Sequence, residues 1–303
     1  MKDKELSKTE IKIHTKNCFK TDILLNWTML IGYFLGSYYL FTIIYTALFQ
    51  GMVSYYAVVY KFLIPFSLSG IVLLNCFYVT LYYFEIPFFE KYKVNDLEWP
   101  WKSNPEHFNK IIYGAIYTYL FNYFSFNLYL LLLGLWIQPE VDPNHLPTIP
   151  IYFIQILFAI VCEDFFFYWG HRLLHHPSIY AKVHKKHHEF YDVIHISCIN
   201  THWFEFLASN IFPLFSSLLI LGKRMHIVTF IGWIFFRILE THECHSGYEF
   251  SWSMFSAIPF MNDSAYHNFH HLKNIGNYTS FFRLWDTLFG TNRYYYEINN
   301  VHI

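Results

Sequence analysis

The chain has 303 residues, of which 54% are hydrophobic, 23% are aromatic and only 14% are charged. This composition excludes an ordinary water-soluble globular protein and predicts an integral membrane protein. The formal net charge of −1 provides no excess of basic residues that would suit a nucleic-acid partner.

The chain begins with a polar, lysine-rich segment at residues 1–22, which predicts a cytosolic tail rather than a cleavable signal peptide. Residues 23–303 contain neither tandem repeats nor low-complexity linkers, so we predict one membrane-embedded domain. The expected fold class is all-α, with about four transmembrane helices. The four apolar runs that can each cross a bilayer are residues 23–49, 62–84, 111–137 and 150–170.

Two further apolar stretches, residues 204–221 and 227–239, are short and are separated by Lys223 and Arg224. As two full spans they would leave those charges on the wrong side of the membrane, in helices too short for its core. We therefore expect a re-entrant or interfacial hairpin, with a pair of short spans as the alternative.

The distribution of lysine and arginine predicts the orientation of the spans. The tail, the loop at residues 85–110 and the segment after residue 170 each carry several lysines or arginines, whereas the loop at residues 138–149 has neither. The tail and the histidine-rich segment are therefore expected on the cytosolic face, and His145 on the opposite side.

Histidine is concentrated in one region, since fourteen of the eighteen histidines lie between residues 171 and 271. His171 and His175 are four residues apart, so on a helix they share one face. The spelling H-x-x-H-H occurs at residues 184–188 and again at residues 267–271. Imidazole is a common ligand of transition metals, and this many rings exceed what one octahedral ion can use. We therefore predict a site with two metal ions.

Asp164 and Glu163 lie near the end of the fourth apolar run, where an acid is costly unless it has a partner. We expect Asp164 to accept a hydrogen bond from a ligating imidazole and so fix its tautomer. The alternative is an acid solvated by lipid headgroups. Ligation by nitrogen alone argues against zinc-finger and iron–sulfur sites, but ligand type leaves zinc and copper open. Two histidine-bound irons would suit O2 activation on a lipid.

Four segments resemble the fatty acid hydroxylase superfamily, and within it they look most like C-4 methylsterol monooxygenases. They read HRLLHH from His171, HKKHHEF from His184, ETHECHSGY from Glu240 and YHNFHHLKNIGNYTSFFRLWDTLFGT from Tyr266, and the resemblance covers about residues 155–293. It implies an endoplasmic-reticulum membrane enzyme with two iron ions that oxidises the 4α-methyl group of a sterol with O2. It also implies that electrons come from NAD(P)H through cytochrome b5 and its reductase.

For individual residues, the resemblance implies ten histidine ligands to the metal ions. They are His171, His175, His184, His187, His188, His202, His245, His267, His270 and His271. His202 departs from the pattern, because Trp203 follows it where sterol oxidases have proline. His242 is an additional histidine that the family pattern does not include. We expect His242, His195 and His226 all to lie outside the ligand set.

These departures leave the substrate open. Cholesterol 25-hydroxylases share the C-H-S-G-Y spelling, so a side-chain sterol hydroxylase is the first alternative, followed by C-5 sterol desaturases and fatty acid hydroxylases. A non-catalytic transport protein would place polar ligands near the bilayer midplane, whereas these histidines flank the spans on one side. Lys182, Lys185 and Lys186 suit either acidic cytochrome b5 or anionic lipid headgroups. No G-x-G-x-x-G fingerprint occurs, so the reductant need not bind this chain.

Overall fold

The computed structural model describes residues 23–51 and 53–299, so the tail predicted at residues 1–22 lies outside the described residues. The described part is all-helical, with three isolated β-bridges and no strand. Its longer helices are α1 (Ile23–Leu48), α2 (Tyr55–Phe84), α3 (Pro105–Leu133), α4 (Ile149–Leu174), α5 (Trp203–Arg224), α6 (Ile227–Cys244), α7 (Ser264–Lys273), α8 (Leu284–Phe289) and α9 (Arg293–Asn299). Short helical segments lie between them at Pro87–Glu90, Pro100–Ser103, Pro143–His145, Pro177–Tyr180, His184–Glu189, His195–Ile199 and Met254–Ala257.

Five of these helices, α1 to α5, are long and apolar enough to cross a membrane. The first four confirm the four predicted spans. Their outward faces carry exposed apolar side chains, among them Leu24, Leu73 and Phe124. Exposing this much apolar surface to water is unfavourable, and a lipid bilayer would bury it. The chain is therefore a multi-pass membrane protein.

Helices α2 and α5 each continue through a proline that would ordinarily break them. Proline cannot donate the hydrogen bond to the carbonyl four residues earlier, so the helix must loosen before it. A π-helical turn at Val59–Leu63 precedes Pro65, and another at Phe206–Ile211 precedes Pro213. As a result α2 extends back to Tyr55, beyond the predicted start at residue 62.

The two stretches predicted as a short hairpin form helices that are longer than expected. Helix α5 reaches 22 residues because it runs from Trp203 through the turn at Gly222–Arg224, and by length and composition it fits the alternative of a spanning helix. Helix α6 extends past residue 239 to Cys244. It packs against α1, α2, α4, α5 and α7, and it is the central helix of the bundle.

The C-terminal ends of α4 and α6 lie close together, and they position the histidine site. The residue that caps the C-terminal end of α4 is His175, and the residue that caps α6 is His245. The segment His184–Glu189 and helix α7 pack against these two ends and bring the remaining histidines with them.

Candidate metal centre

The first group of histidines forms around the last turn of α4. His171 and His175 are one helical turn apart, and their ring centroids are 5.1 Å apart. The segment His184–Glu189 lies opposite them and contributes two rings, and α7 contributes a fifth. One nitrogen from each ring lies within 4.8 Å of the corresponding nitrogens of the other four, and the five residues are His171, His175, His184, His188 and His270.

The second group forms at the end of α6. It consists of His187, His245, His267 and His271, all buried, whose ligand nitrogens lie within 4.8 Å of one another. The two groups are neighbours, since the ring centroids of His188 and His271 are 4.6 Å apart.

Two pairs of adjacent histidines are divided between the two groups. His187 and His188 follow each other in the chain, yet their rings lie at 80° and enter different groups. His270 and His271 do the same, with an interplanar angle of 89°. Consecutive residues point in directions about 100° apart on an α-helix such as α7 and about 120° apart in a 3-10 helix such as His184–Glu189, so one H-H dipeptide can serve two centres. The spelling H-x-x-H-H therefore supplies both groups at once.

Four of these nine rings are fixed by a hydrogen bond from Nδ1 to a backbone carbonyl. Nδ1 lies 2.9 Å from the Tyr278 carbonyl in His171, 2.6 Å from the Gly276 carbonyl in His270, 3.0 Å from the Phe190 carbonyl in His271, and 2.9 Å from the Thr241 carbonyl in His245. A carbonyl oxygen only accepts, so Nδ1 carries the proton in each case. In the neutral ring Nε2 then carries the lone pair that a metal ion needs.

The Nε2 atoms that face into the two groups are placed where they could bind metal ions. Nε2 of His171, His175, His270 and His271 is buried and has no hydrogen-bond partner among the described residues. Nε2 of His184 and His188 lie 3.1 Å apart in the first group, and Nε2 of His245 and His267 lie 2.9 Å apart in the second. Two nitrogens bound at right angles to one ion, each at about 2.1 Å, would be about 3 Å apart.

Burial keeps these imidazoles neutral. It lowers the pKa of His187 to about 3, and the neighbouring His171 adds to this effect. Burial, together with the surrounding rings, also lowers the pKa of His188 and His271 well below the ordinary value. Neutral imidazole is the form that binds metal, so the ligand set is ready at neutral pH.

A carboxylate does hold one of the rings, but it is Glu205 and not the predicted Asp164. Oε1 of Glu205 lies 2.8 Å from Nδ1 of His184, and both side chains are buried. The prediction for Asp164 is wrong, because its Oδ1 instead accepts the backbone N–H groups of Phe281 and Phe282 at 2.7 and 3.1 Å. Asp164 lies on α4, so these bonds anchor the segment after α7 to that helix.

Nine of the ten predicted ligands lie in the two groups, and their role as ligands stays a prediction. His202 lies outside both groups: its Nδ1 accepts the Phe204 N–H and caps the start of α5. His195, His226 and His242 also lie outside both groups, as expected. Glu205 was missed by sequence reasoning. The signal that could have found it is an acid at the start of an apolar run, which resembles the position of Asp164 at the end of one.

The bundle and the paired histidine groups define a multi-pass membrane protein with a histidine-rich site suited to binding metal. The sequence comparisons agree, since the model of the family described as fatty acid hydroxylase matches residues 156–291.

Methylsterol monooxygenase 1 of Rattus norvegicus is 35% identical over 70% of this chain and 70% of its own length. Methylsterol monooxygenase 2-2 of Arabidopsis thaliana is 35% identical over 48% of this chain and 55% of its own. Very-long-chain aldehyde decarbonylase GL1-11 of Oryza sativa is 39% identical over 46% of this chain and 53% of its own. No solved structure matches the chain. The chain belongs to the fatty acid hydroxylase family and is an oxidoreductase.

Proposed function

We propose that this chain is a di-iron monooxygenase of the endoplasmic-reticulum membrane that oxidises the C-4 methyl group of a sterol during sterol biosynthesis. The observation that carries the proposal is the pair of histidine groups, each with at least four converging imidazoles. The methylsterol monooxygenases of rat and Arabidopsis support the choice of substrate.

The donor set suits two irons, because imidazole nitrogens bind iron well. His171, His175, His184, His188 and His270 would hold one ion, and His187, His245, His267 and His271 the other. The bound irons would supply the O2 chemistry that an unactivated C–H bond requires. In the first oxidation round the methyl C–H becomes C–OH. One oxygen atom of O2 enters the sterol and the other leaves as water, with two electrons and two protons.

The protein's own residues orient the rings and exclude water from the centre. The hydrogen bonds from Nδ1 hold the inward nitrogens in place before any ion binds, so little reorganisation is needed. An apolar cavity of about 160 Å³ lies between α2, α3, α5 and α6, and its lining includes Thr241, whose carbonyl holds His245. A largely hydrocarbon substrate would fill this cavity from the membrane.

Electrons would arrive from the cytosolic surface. Lys182 and Lys185 are exposed and flank His184 in the sequence, and His184 belongs to the first histidine group. Exposed lysines would attract an acidic electron carrier, which supports cytochrome b5 and its NAD(P)H-dependent reductase as partners.

The proposal is tested by supplying membranes that contain the protein with a 4-methylsterol, NADH, cytochrome b5 and its reductase, under ¹⁸O2. The expected product is the 4-hydroxymethyl sterol with one ¹⁸O atom, followed by more oxidised C-4 products. A His271→Ala variant, which lacks one predicted ligand, should form none. Oxidation at the side chain or a new double bond in the ring would refute attack at C-4. Loss of a carbon from a long-chain aldehyde, with no action on sterols, would refute the choice of substrate.

A further inference from the structure

The wall of the apolar cavity contains a buried histidine that neither metal group uses. His242 lies one residue after Thr241, whose carbonyl accepts the hydrogen bond of His245. The cavity wall at this point is therefore one hydrogen bond away from the second histidine group. His242 is only 4% exposed, and its Nδ1 has no hydrogen-bond partner in the described part of the chain.

A second histidine supports His242 from behind. The ring of His195 lies 6.1 Å from that of His242 and nearly parallel to it, at 27°. His195 is itself fixed, because its Nε2 donates to Oδ1 of Asn75 at 2.8 Å and its ring stacks on Tyr78. His195 thus packs against the ring of His242, which itself lines the cavity.

The hydroxyls of Tyr119 and Tyr123 line the same cavity and also have no partner among the described residues, but the polar groups next to His242 on α6 are paired. The guanidinium of Arg237 forms ion pairs with Glu163 and Glu240. The Thr241 hydroxyl donates to Glu240 at 3.4 Å. A buried polar atom without a partner is costly, so an unpaired imidazole nitrogen beside an apolar cavity indicates that a ligand group pairs with it.

We propose that His242 hydrogen-bonds the 3-hydroxyl group of the sterol and thereby sets which carbon faces the metal ions. This inference rests on the proposed function. A 3-hydroxysterol has one polar group, and it is bonded to the carbon next to C-4. When C-4 faces the metal centre, the hydroxyl must lie beside the centre as well. Among the described side chains that line the cavity and have an unpaired polar atom, His242 is the one that follows Thr241, whose carbonyl holds His245. It is a specificity-determining residue and not a metal ligand.

The test compares a 4-methyl-3-hydroxysterol with the same sterol lacking the 3-hydroxyl, in full-length protein in membranes. The wild-type protein should favour the hydroxysterol by about tenfold or more in kcat/KM, as expected for one buried hydrogen bond. His242→Phe should reduce this preference to near one, mainly by raising KM, with iron content unchanged. His242→Asn, which keeps a polar atom near the position of Nδ1, should retain part of the preference.

A binding measurement and a matched histidine variant complete the test. Equilibrium binding of radiolabelled hydroxysterol without reductant should weaken about tenfold in His242→Phe. The control is His226→Asn at the other end of α6. His226 caps that helix through its Nδ1, and asparagine is a favoured cap, so the hydroxyl preference should stay at the wild-type value.

Three results would overturn the assignment alone. An unchanged preference in His242→Phe would exclude the hydrogen bond, and loss of iron in that variant would place His242 in the metal site. Equal use of both sterols by the wild-type protein would exclude recognition of the hydroxyl. Turnover of neither sterol by the wild-type protein would instead overturn the proposed function, and the assignment with it.

Discussion

Replacing Glu205 tests whether one buried carboxylate determines how tightly the first histidine group binds metal. The bond between Glu205 and His184 is 2.8 Å long, and the two side chains are 4% and 1% exposed, so water cannot replace a lost partner. A hydrogen bond to a charged group contributes about 1.5–3 kcal/mol, and a neutral one about 0.5–1.5 kcal/mol. Glu205→Leu removes the acceptor, whereas Glu205→Gln keeps a neutral oxygen in its place.

We therefore expect Glu205→Leu to weaken metal binding at the first group by about 10–100-fold, the range typical of lost partners of metal-bound histidines. Glu205→Gln should lose about tenfold or less, since about 1.4 kcal/mol corresponds to a factor of ten. The assay is the iron retained per chain when detergent-purified protein is titrated with chelators of graded strength.

Asp164→Asn is the matched control, because it also changes a buried carboxylate to an amide on a neighbouring helix. Its amide oxygen can still accept the N–H groups of Phe281 and Phe282, and it contacts no imidazole, so metal retention should match that of the wild type. The reasoning would be refuted if both Glu205 variants retained iron as the wild type does. It would also be refuted if Asp164→Asn lost iron as readily as Glu205→Gln.

Three further predictions concern the two groups, the topology and the packing. His188→Ala and His187→Ala each remove a ligand from one group, so each variant should lose about half of the bound iron; complete loss in both would contradict two separable ions. Single cysteines placed beside Lys93 and Lys185 should react with a cytosolic reagent, whereas one beside Glu140 should not, and labelling there would overturn the orientation. Gly232→Ala would press a methyl group onto the buried ring of Tyr152, so it should destabilise the α4–α6 contact by about 1–3 kcal/mol, seen as a lower melting temperature.

The spans and most of the site could be predicted from the sequence because both depend on short-range patterns. A run of apolar residues specifies a spanning helix by its length, and the spacing of His171 and His175 places two rings on one face. The division of His187 and His188 between two groups could not be predicted in this way. It depends on how the segment His184–Glu189 lies against α4 and α7, which is a tertiary arrangement.

The two buried acids show where sequence reasoning stops. Both Asp164 and Glu205 lie at the ends of apolar runs, and burial requires a partner for each. The sequence indicates that such a partner exists but cannot name it. Asp164 faces the chain after α7, and Glu205 faces His184 across 21 positions of sequence. The length of α5 was underestimated for a different reason, since the helix continues through the turn at Gly222–Arg224, beyond the last apolar residue of the run.

Helix α6 connects the cavity to the metal centre, and its sequence explains why it could not be read as a span. Ile234 and Ile238 line the apolar cavity, whereas Arg237 and Glu240 form a buried ion-pair network that would be costly in lipid. The helix tolerates these charges because other helices surround it and Glu163 of α4 completes the network. The same helix ends at His245. A shift of α6 would therefore move the cavity wall and the predicted ligand His245 together.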